Sequence, residues 1–174
     1  MVLWPADSPA QIEDARLFAG RLQEEAAQRS GQLRARVRAG LGGYHPGLHG
    51  IARSYLEAQQ AVEIGRKLRP EAMLHHHDEV APYLVLAQNP LVLERYVGHV
   101  LGPLLAADSR GALLETLGAL LARGTVKEAA VALRVHRHTV LYRMEKLQEL
   151  LGGDLDQPAV RHRLQLALDL RRLL

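Results

Sequence analysis

The chain has 174 residues, 48% hydrophobic and 24% charged, which gives one large domain or two small ones a real core and excludes whole-chain disorder. Cysteine is absent, which excludes disulfide scaffolds, cysteine-ligated metal centres and cysteine nucleophiles and fits a reducing, cytoplasmic interior. The formal charge is only +3, and neither a leader segment nor 18 consecutive apolar residues occurs, so a soluble protein with no membrane partner is expected.

Val2-Leu-Trp4 reads as a short strand ended by Pro5, and Asp7-Ser-Pro9 as a helix start. Ile12, Ala15, Phe18, Ala19, Leu22 and Ala26 keep helical spacing to about Arg29. Leu33, Ala35, Val37, Ala39 and Leu41 alternate with polar residues, the period of a strand with one wet face. Gly42 to Gly47 is turn-rich, Ile51 to about Leu68 a second helix, and Ala72 to His77 a third strand. Strand, helix, strand, helix, strand is the order of a small α/β block, with both helices on one sheet. It is short for a complete domain, so further strands are expected upstream.

Beyond Asp78 the pattern is helical throughout: Asp78 to Ala87, Pro90 to Leu101, Pro103 to Ala106, Arg110 to Ala122, Val126 to Leu133, Arg137 to Leu151 and Pro158 to Leu174. Asp108-Ser-Arg-Gly111 reads as a linker. The fold class is therefore mainly α with a small α/β part.

Charge divides the chain in the same place. Residues 1–109 hold 11 Lys+Arg against 12 Asp+Glu, and residues 110–174 hold 11 against 7. Arg123 to Lys146 alone carries six basic and two acidic residues, the footprint of a polyanion-binding segment.

Within it, Thr125-Val-Lys-Glu128 has the T-x-x-E form of a capping box. Val126, Ala129, Ala130 and Leu133 form an inward face small enough for another helix to cross closely, and Val135 plugs the turn. The next helix buries Val140, Met144, Leu147 and Leu151, leaving Arg137, His138, Thr139, Leu141, Tyr142, Arg143 and Lys146 off the buried stripe. A short helix, a tight turn and a second helix with polar groups crowded at its start is the helix-turn-helix pattern, whose second helix enters the DNA major groove. A plain helical hairpin has the same inward faces and differs only in that outward one.

Arg137 is placed to fork onto guanine O6 and N7, with a phosphate contact or surface ion pair as its other reading. His138 touches a base or sits at the groove edge, and Leu141 meets a thymine methyl. Thr139 and Arg143 grip phosphates, Tyr142 bonds a phosphate or packs on the preceding helix, Lys127 and Arg134 flank the backbone or are solvated surface, and Lys146 and His136 complete the candidate DNA-binding set.

Leu113-Leu-Glu-Thr-Leu117, Ala129-Ala-Val-Ala-Leu133, Val135-His-Arg-His-Thr-Val-Leu-Tyr-Arg143, Leu147-Gln-Glu-Leu-Leu-Gly152, Asp154-Leu-Asp156 and Leu164-Gln-Leu-Ala-Leu168 occur in that order. Together they resemble the C-terminal helix-turn-helix domain of PucR/CdaR-type bacterial transcriptional regulators over 112–174. The second helix is also similar to that of the Fis group. Arg38-Ala-Gly-Leu-Gly42, Tyr44-His-Pro-Gly47 and Ser54-Tyr-Leu-Glu-Ala-Gln-Gln-Ala61 resemble the end of the GGDEF-like domain that precedes this module in the family.

The resemblance implies a partial GGDEF-like domain over 1–77, a helical linker over 78–109 and a helix-turn-helix domain over 110–174. It also implies double-stranded operator DNA as partner and a small-molecule effector sensed by an N-terminal domain outside this chain. No cofactor is expected, and because one helix covers only a few base pairs, operator-level specificity argues for a homodimer. The chain would then be the C-terminal part of a longer regulator. His138 stands where family members often carry Asn, and the Gly-rich lead-in is reduced to Gly124-Thr125.

Two other classes stand beside this reading. One is an effector-binding or signalling module that reads no DNA, and the other a nucleotidyl cyclase remnant. Gly42-Gly43 is followed by Tyr44-His-Pro46 rather than carboxylates, so nothing there would hold metal ions on a triphosphate and no enzyme activity is expected. His75-His-His77 lacks the spacing of a metal site, because successive residues of a strand face opposite ways. The surplus leucines of the last helix (Leu164, Leu166, Leu168, Leu170, Leu173, Leu174) make it the candidate dimer surface.

Overall fold

A computed structural model describes residues 2, 4, 6–29 and 38–174. The first predicted strand is not formed at Val2 or Trp4, and Leu33, Ala35 and Val37 of the second lie outside the described residues. The class expected from the sequence holds: eight α-helices and one two-stranded parallel sheet are present among the described residues.

The chain divides at Gln88/Asn89 into two units. In the first, Ser8 precedes a 3-10 turn, Pro9–Gln11, that leads into helix α1, Ile12–Arg29. Strand β1, Ala39–Leu41, runs parallel to β2, Leu74–His76, with Ala39 opposite Leu74 and Leu41 opposite His76. Helix α2, Gly47–Leu68, forms the crossover between them, and α3, His77–Leu86, follows β2 directly. The α2 helix starts four residues earlier than its apolar periodicity indicates. Pro46, at φ −72°, is the extended N-cap residue, and Gly47 takes φ +74° at the first helical position.

Small residues set the spacing between sheet and helix. A Cβ on Gly40 would strike the Ala58 carbonyl, one on Gly42 the Ser54 carbonyl, and one on Gly65 the His75 ring. The strand backbone therefore lies directly on α2. Ala61, Leu68 and Val80 form the buried centre of this unit, with Ile64, Tyr83 and Leu84 packed around them.

The loop after β1 is held firmly. Gly43 N–H donates to Glu57 at 2.9 Å, His45 Nε2 lies 2.8 Å from the same carboxylate, and the Ser54 hydroxyl donates to Gly43 O at 2.7 Å. Burial alone would raise the Glu57 carboxyl. The hydrogen bonds from His45 and Gly43 and the charges of His45 and His77 outweigh it and hold the group below its ordinary range.

The three consecutive histidines are separated by the fold. His75 is buried at 2% exposure, the His76 side chain accepts the Asp78 N–H as N-cap of α3, and His77 opens that helix. Among the described residues no cluster has a metal-binding arrangement.

The second unit holds five helices. Helix α4 is Pro90–Ala107, α5 Ala112–Arg123, α6 Val126–Leu133, α7 Arg137–Leu151 and α8 Pro158–Arg171. The segment expected as a linker, 78–109, is thus divided: α3 belongs to the first unit and α4 to the second. The α4 helix packs on α8 and α7 and buries Leu93, Val97, Val100, Leu101 and Leu104.

It also runs through Pro103, where the sequence suggests two helices. Breaking an interior backbone bond at proline costs about 3 kcal/mol, and the complete burial of Leu101 and Leu104 on either side offsets it. Asp108 caps α5 by accepting the Leu114 N–H at 2.8 Å, and Gly111 takes φ +74° in the connecting turn.

The leucines of α8 are largely used inside the unit. Leu164, Leu168 and Leu170 are buried, Leu166 is half-buried, and only Leu174 beyond the helix is exposed. Most of the leucines read as a dimer surface are thus buried within the chain, where α8 packs on α4. No helix among the described residues is long and apolar enough to cross a membrane.

Candidate nucleic-acid interface

The α6–turn–α7 pair is built from local signals. Thr125 is the extended N-cap of α6, and its hydroxyl oxygen accepts the Glu128 N–H at 3.2 Å. The reciprocal half of the capping box takes a different form. The Thr125 hydroxyl donates to the Glu128 carboxylate at 2.9 Å, so side chain meets side chain. Ala129 and Ala130 are buried, which lets α6 cross its neighbours closely.

The turn is a Schellman motif centred on Arg134. Arg134 N–H donates to Val131 O at 3.2 Å and Val135 N–H to Ala130 O at 3.1 Å. Arg134 takes φ +55°, the one left-handed non-glycine conformation among the described residues. Its side chain is exposed, while Val135 is half-buried as the apolar plug.

His136 is the N-cap of α7: its Nδ1 accepts the His138 N–H at 3.3 Å. That bond leaves Nε2 for an outside partner. The rings of His136 and His138 stack at 5.1 Å and 15°.

Val140, Leu147 and Leu151 are buried along one face of α7. On the opposite face His138, Tyr142 and Lys146 follow one another at four-residue steps, all exposed, with Tyr142 at 65%. Arg137 is exposed at the first helical position, and Leu141 and Thr139 flank the ridge, half-buried. Lys127 is exposed on α6.

Glu145 and Glu149 are exposed on the later turns of α7. Arg137 and the positive end of the helix dipole therefore meet at its start, and the acidic groups lie on the later turns, on either side of Lys146.

One expected contact residue is placed elsewhere. Arg143 is half-buried and donates to the Thr116 hydroxyl of α5 at 3.1 Å, so its guanidinium braces α7 instead of joining the outward ridge. Thr116 in turn donates to Ala112 O at 2.7 Å.

Arg161, which sequence reading passes over, donates to Leu120 O, Leu121 O and Leu155 O at 3.0–3.3 Å. It satisfies carbonyls at the end of α5 from about forty positions away, which no local pattern announces.

Residues 113–170 match the PucR C-terminal helix-turn-helix domain and residues 1–64 the GGDEF-like domain. The chain belongs to the PucR/CdaR family. Its helix-turn-helix match runs from the second residue of α5 to the penultimate one of α8 and leaves α4 outside. This PucR/CdaR chain is 31% identical over 156 residues to the purine catabolism regulatory protein of Bacillus subtilis (strain 168), a match covering 88% of the chain and 29% of that protein. It is 35% identical over 143 residues to the carbohydrate diacid regulator of Escherichia coli (strain K12), covering 80% of the chain and 36% of that protein. The chain thus spans about a third of the length of these relatives.

Proposed function

We propose that this chain is a bacterial, cytoplasmic, sequence-specific DNA-binding transcriptional regulator that lays α7 in the major groove. The observation that carries the reading is the outward start of α7. Arg137, His138 and Tyr142 are exposed beside the α6 turn, while the opposite face is locked into the unit. The names of the two relatives, both regulators, support the same class.

Arg137 is the base-reading residue, with guanine O6 and N7 as the partners its fork fits. His138 and Leu141 lie at base-edge height. Thr139, Tyr142, Lys146, Lys127, Arg134 and the free nitrogen of His136 serve the phosphates. One such helix covers only a few base pairs, so operator-level specificity calls for a homodimer on two half-sites. The GGDEF-like unit is non-catalytic in this reading.

The test is selection of duplexes from a random pool, followed by affinity measurements at several salt concentrations. About six phosphate contacts give a log–log slope near −5. Arg137→Ala should lower affinity for the selected site about tenfold or more and relax preference at one base pair. Equal losses on selected and random DNA would refute the base-reading role, and a flat salt response would favour a module that reads no DNA. Turnover of GTP with Mg²⁺ would refute the non-catalytic assignment.

A further inference from the structure

The first unit contains a cavity of about 980 Å³ between the segment before α1, β1 with the loop that follows it, and the strand-facing side of α2. That volume falls at the upper end of the range typical of small-molecule sites. Three of the seven aromatic residues in the chain, Trp4, Tyr44 and Tyr55, line it. Ile12, Ile51 and Val62 add aliphatic wall.

The mouth is preorganised. The loop from Gly42 to Pro46 is tied to α2 through Ser54 and Glu57, and the Tyr44 hydroxyl donates to Asp7 O at 3.2 Å. The Trp4 ring packs on Phe18 with centroids 4.9 Å apart. A ligand entering here meets walls already in place, which limits the ordering cost of binding.

Charge narrows the ligand class. Glu63 and Arg66 both line the cavity and cancel. His45 faces it with its Nε2 already on the Glu57 carboxylate, and Arg53 lies 3.4 Å from that same carboxylate. Among the described residues the charges at the cavity are thus paired with one another, and apolar walls penalise a bare charge. Aromatic walls in an otherwise aromatic-poor chain favour a flat ring through offset and edge-to-face contact.

We propose that this cavity is a binding site for an uncharged, planar ring compound. The proposal goes beyond DNA reading and does not depend on it. The loop supplies backbone polar groups at the rim, and Tyr55, whose hydroxyl accepts from Gln59 at 3.1 Å, forms one side wall.

Trp4 is the sole tryptophan, so its emission reports on this cavity directly. The full chain is titrated with four probes of matched size: benzamide (neutral, planar), benzoate (anionic), benzylamine (cationic) and cyclohexanecarboxamide (neutral, not planar). Benzamide should give a saturable change, with the other three at least about fivefold weaker. Ala58→Phe, which fills the cavity, should abolish it. Tyr55→Ala, at a residue 42% exposed and outside the core, should weaken it at least about threefold with unchanged circular dichroism.

No saturation by benzamide, equal affinity for all four probes, tighter binding of either ion, or saturation unaltered in the two variants would each overturn the proposal. DNA affinity is not a readout here, so failure of this site and failure of the α7 reading are distinguishable.

Discussion

Arg143 donates from its guanidinium to the hydroxyl of Thr116 at 3.1 Å, joining α7 to α5. Thr116 is fully buried, so the bond sits where lost partners are felt. Arg143→Ala should lower stability by about 1 kcal/mol, with a coupling of about 0.5–1 kcal/mol to Thr116→Val in a double-mutant cycle. Lys146→Ala should leave stability unchanged and reduce the salt slope of DNA binding by about 0.9. Denaturant titration beside binding at several ionic strengths checks both. A phosphate-contact role for Arg143 would show the opposite pattern: a smaller salt slope at unaltered stability.

Arg134 occupies the left-handed position of the turn at φ +55°. A non-glycine residue there carries about 1 kcal/mol of strain. Arg134→Gly should therefore raise the thermal midpoint of the domain by a few degrees, while removing one cation from the surface proposed to face DNA. Calorimetry and binding measured together would show stability and affinity moving in opposite directions.

The cap of α6 predicts an asymmetry. Thr125→Ala removes the acceptor for the Glu128 N–H and should cost about 1 kcal/mol. Glu128→Ala should cost only a few tenths, because its carboxylate reaches the Thr125 hydroxyl and no orphan backbone group. Equal costs would mean that Glu128 completes the full capping box in solution.

His75 gives the first unit a pH dependence. Burial, and then the charges of Arg69 and Arg38, push its pKa below the ordinary value, and its Nε2 has no hydrogen-bond partner among the described residues. The folded state thus binds its proton less readily than the unfolded chain. Stability is full above about pH 6.5 and falls as pH drops through the interval between the two pKa values, by at most about 1.4 kcal/mol per pH unit. Denaturant midpoints from pH 7.5 to 5 would show the fall. His75→Leu should flatten it.

Gly65 tests the close approach beneath that histidine. A Cβ there would strike the His75 ring, so Gly65→Ala should destabilise by about 1–3 kcal/mol despite its better helix propensity. Gly98→Ala, in α4 with open space around the added methyl, should be neutral or stabilising. Comparing the two by thermal melting separates packing from propensity.

Local chemistry determined much of this protein from the sequence alone. The Thr125 cap, the break at Arg134 to His136, the buried row of Val140 and Leu147, and the basic cluster all depend on residues within a few positions of one another. So did the family resemblance that the domain matches bear out. Tertiary structure decided what depends on distant partners. Arg143 turns inward because Thr116, 27 residues away, offers a hydroxyl. The α4 helix continues through Pro103 because flanking leucines are fully buried, and α8, with Leu164, Leu168 and Leu170 buried, packs on α4. The aromatic cavity brings Trp4 and Tyr55 together across a gap that no periodicity spans. A sequence lists which groups seek a partner, and only the folded chain decides which of them meet.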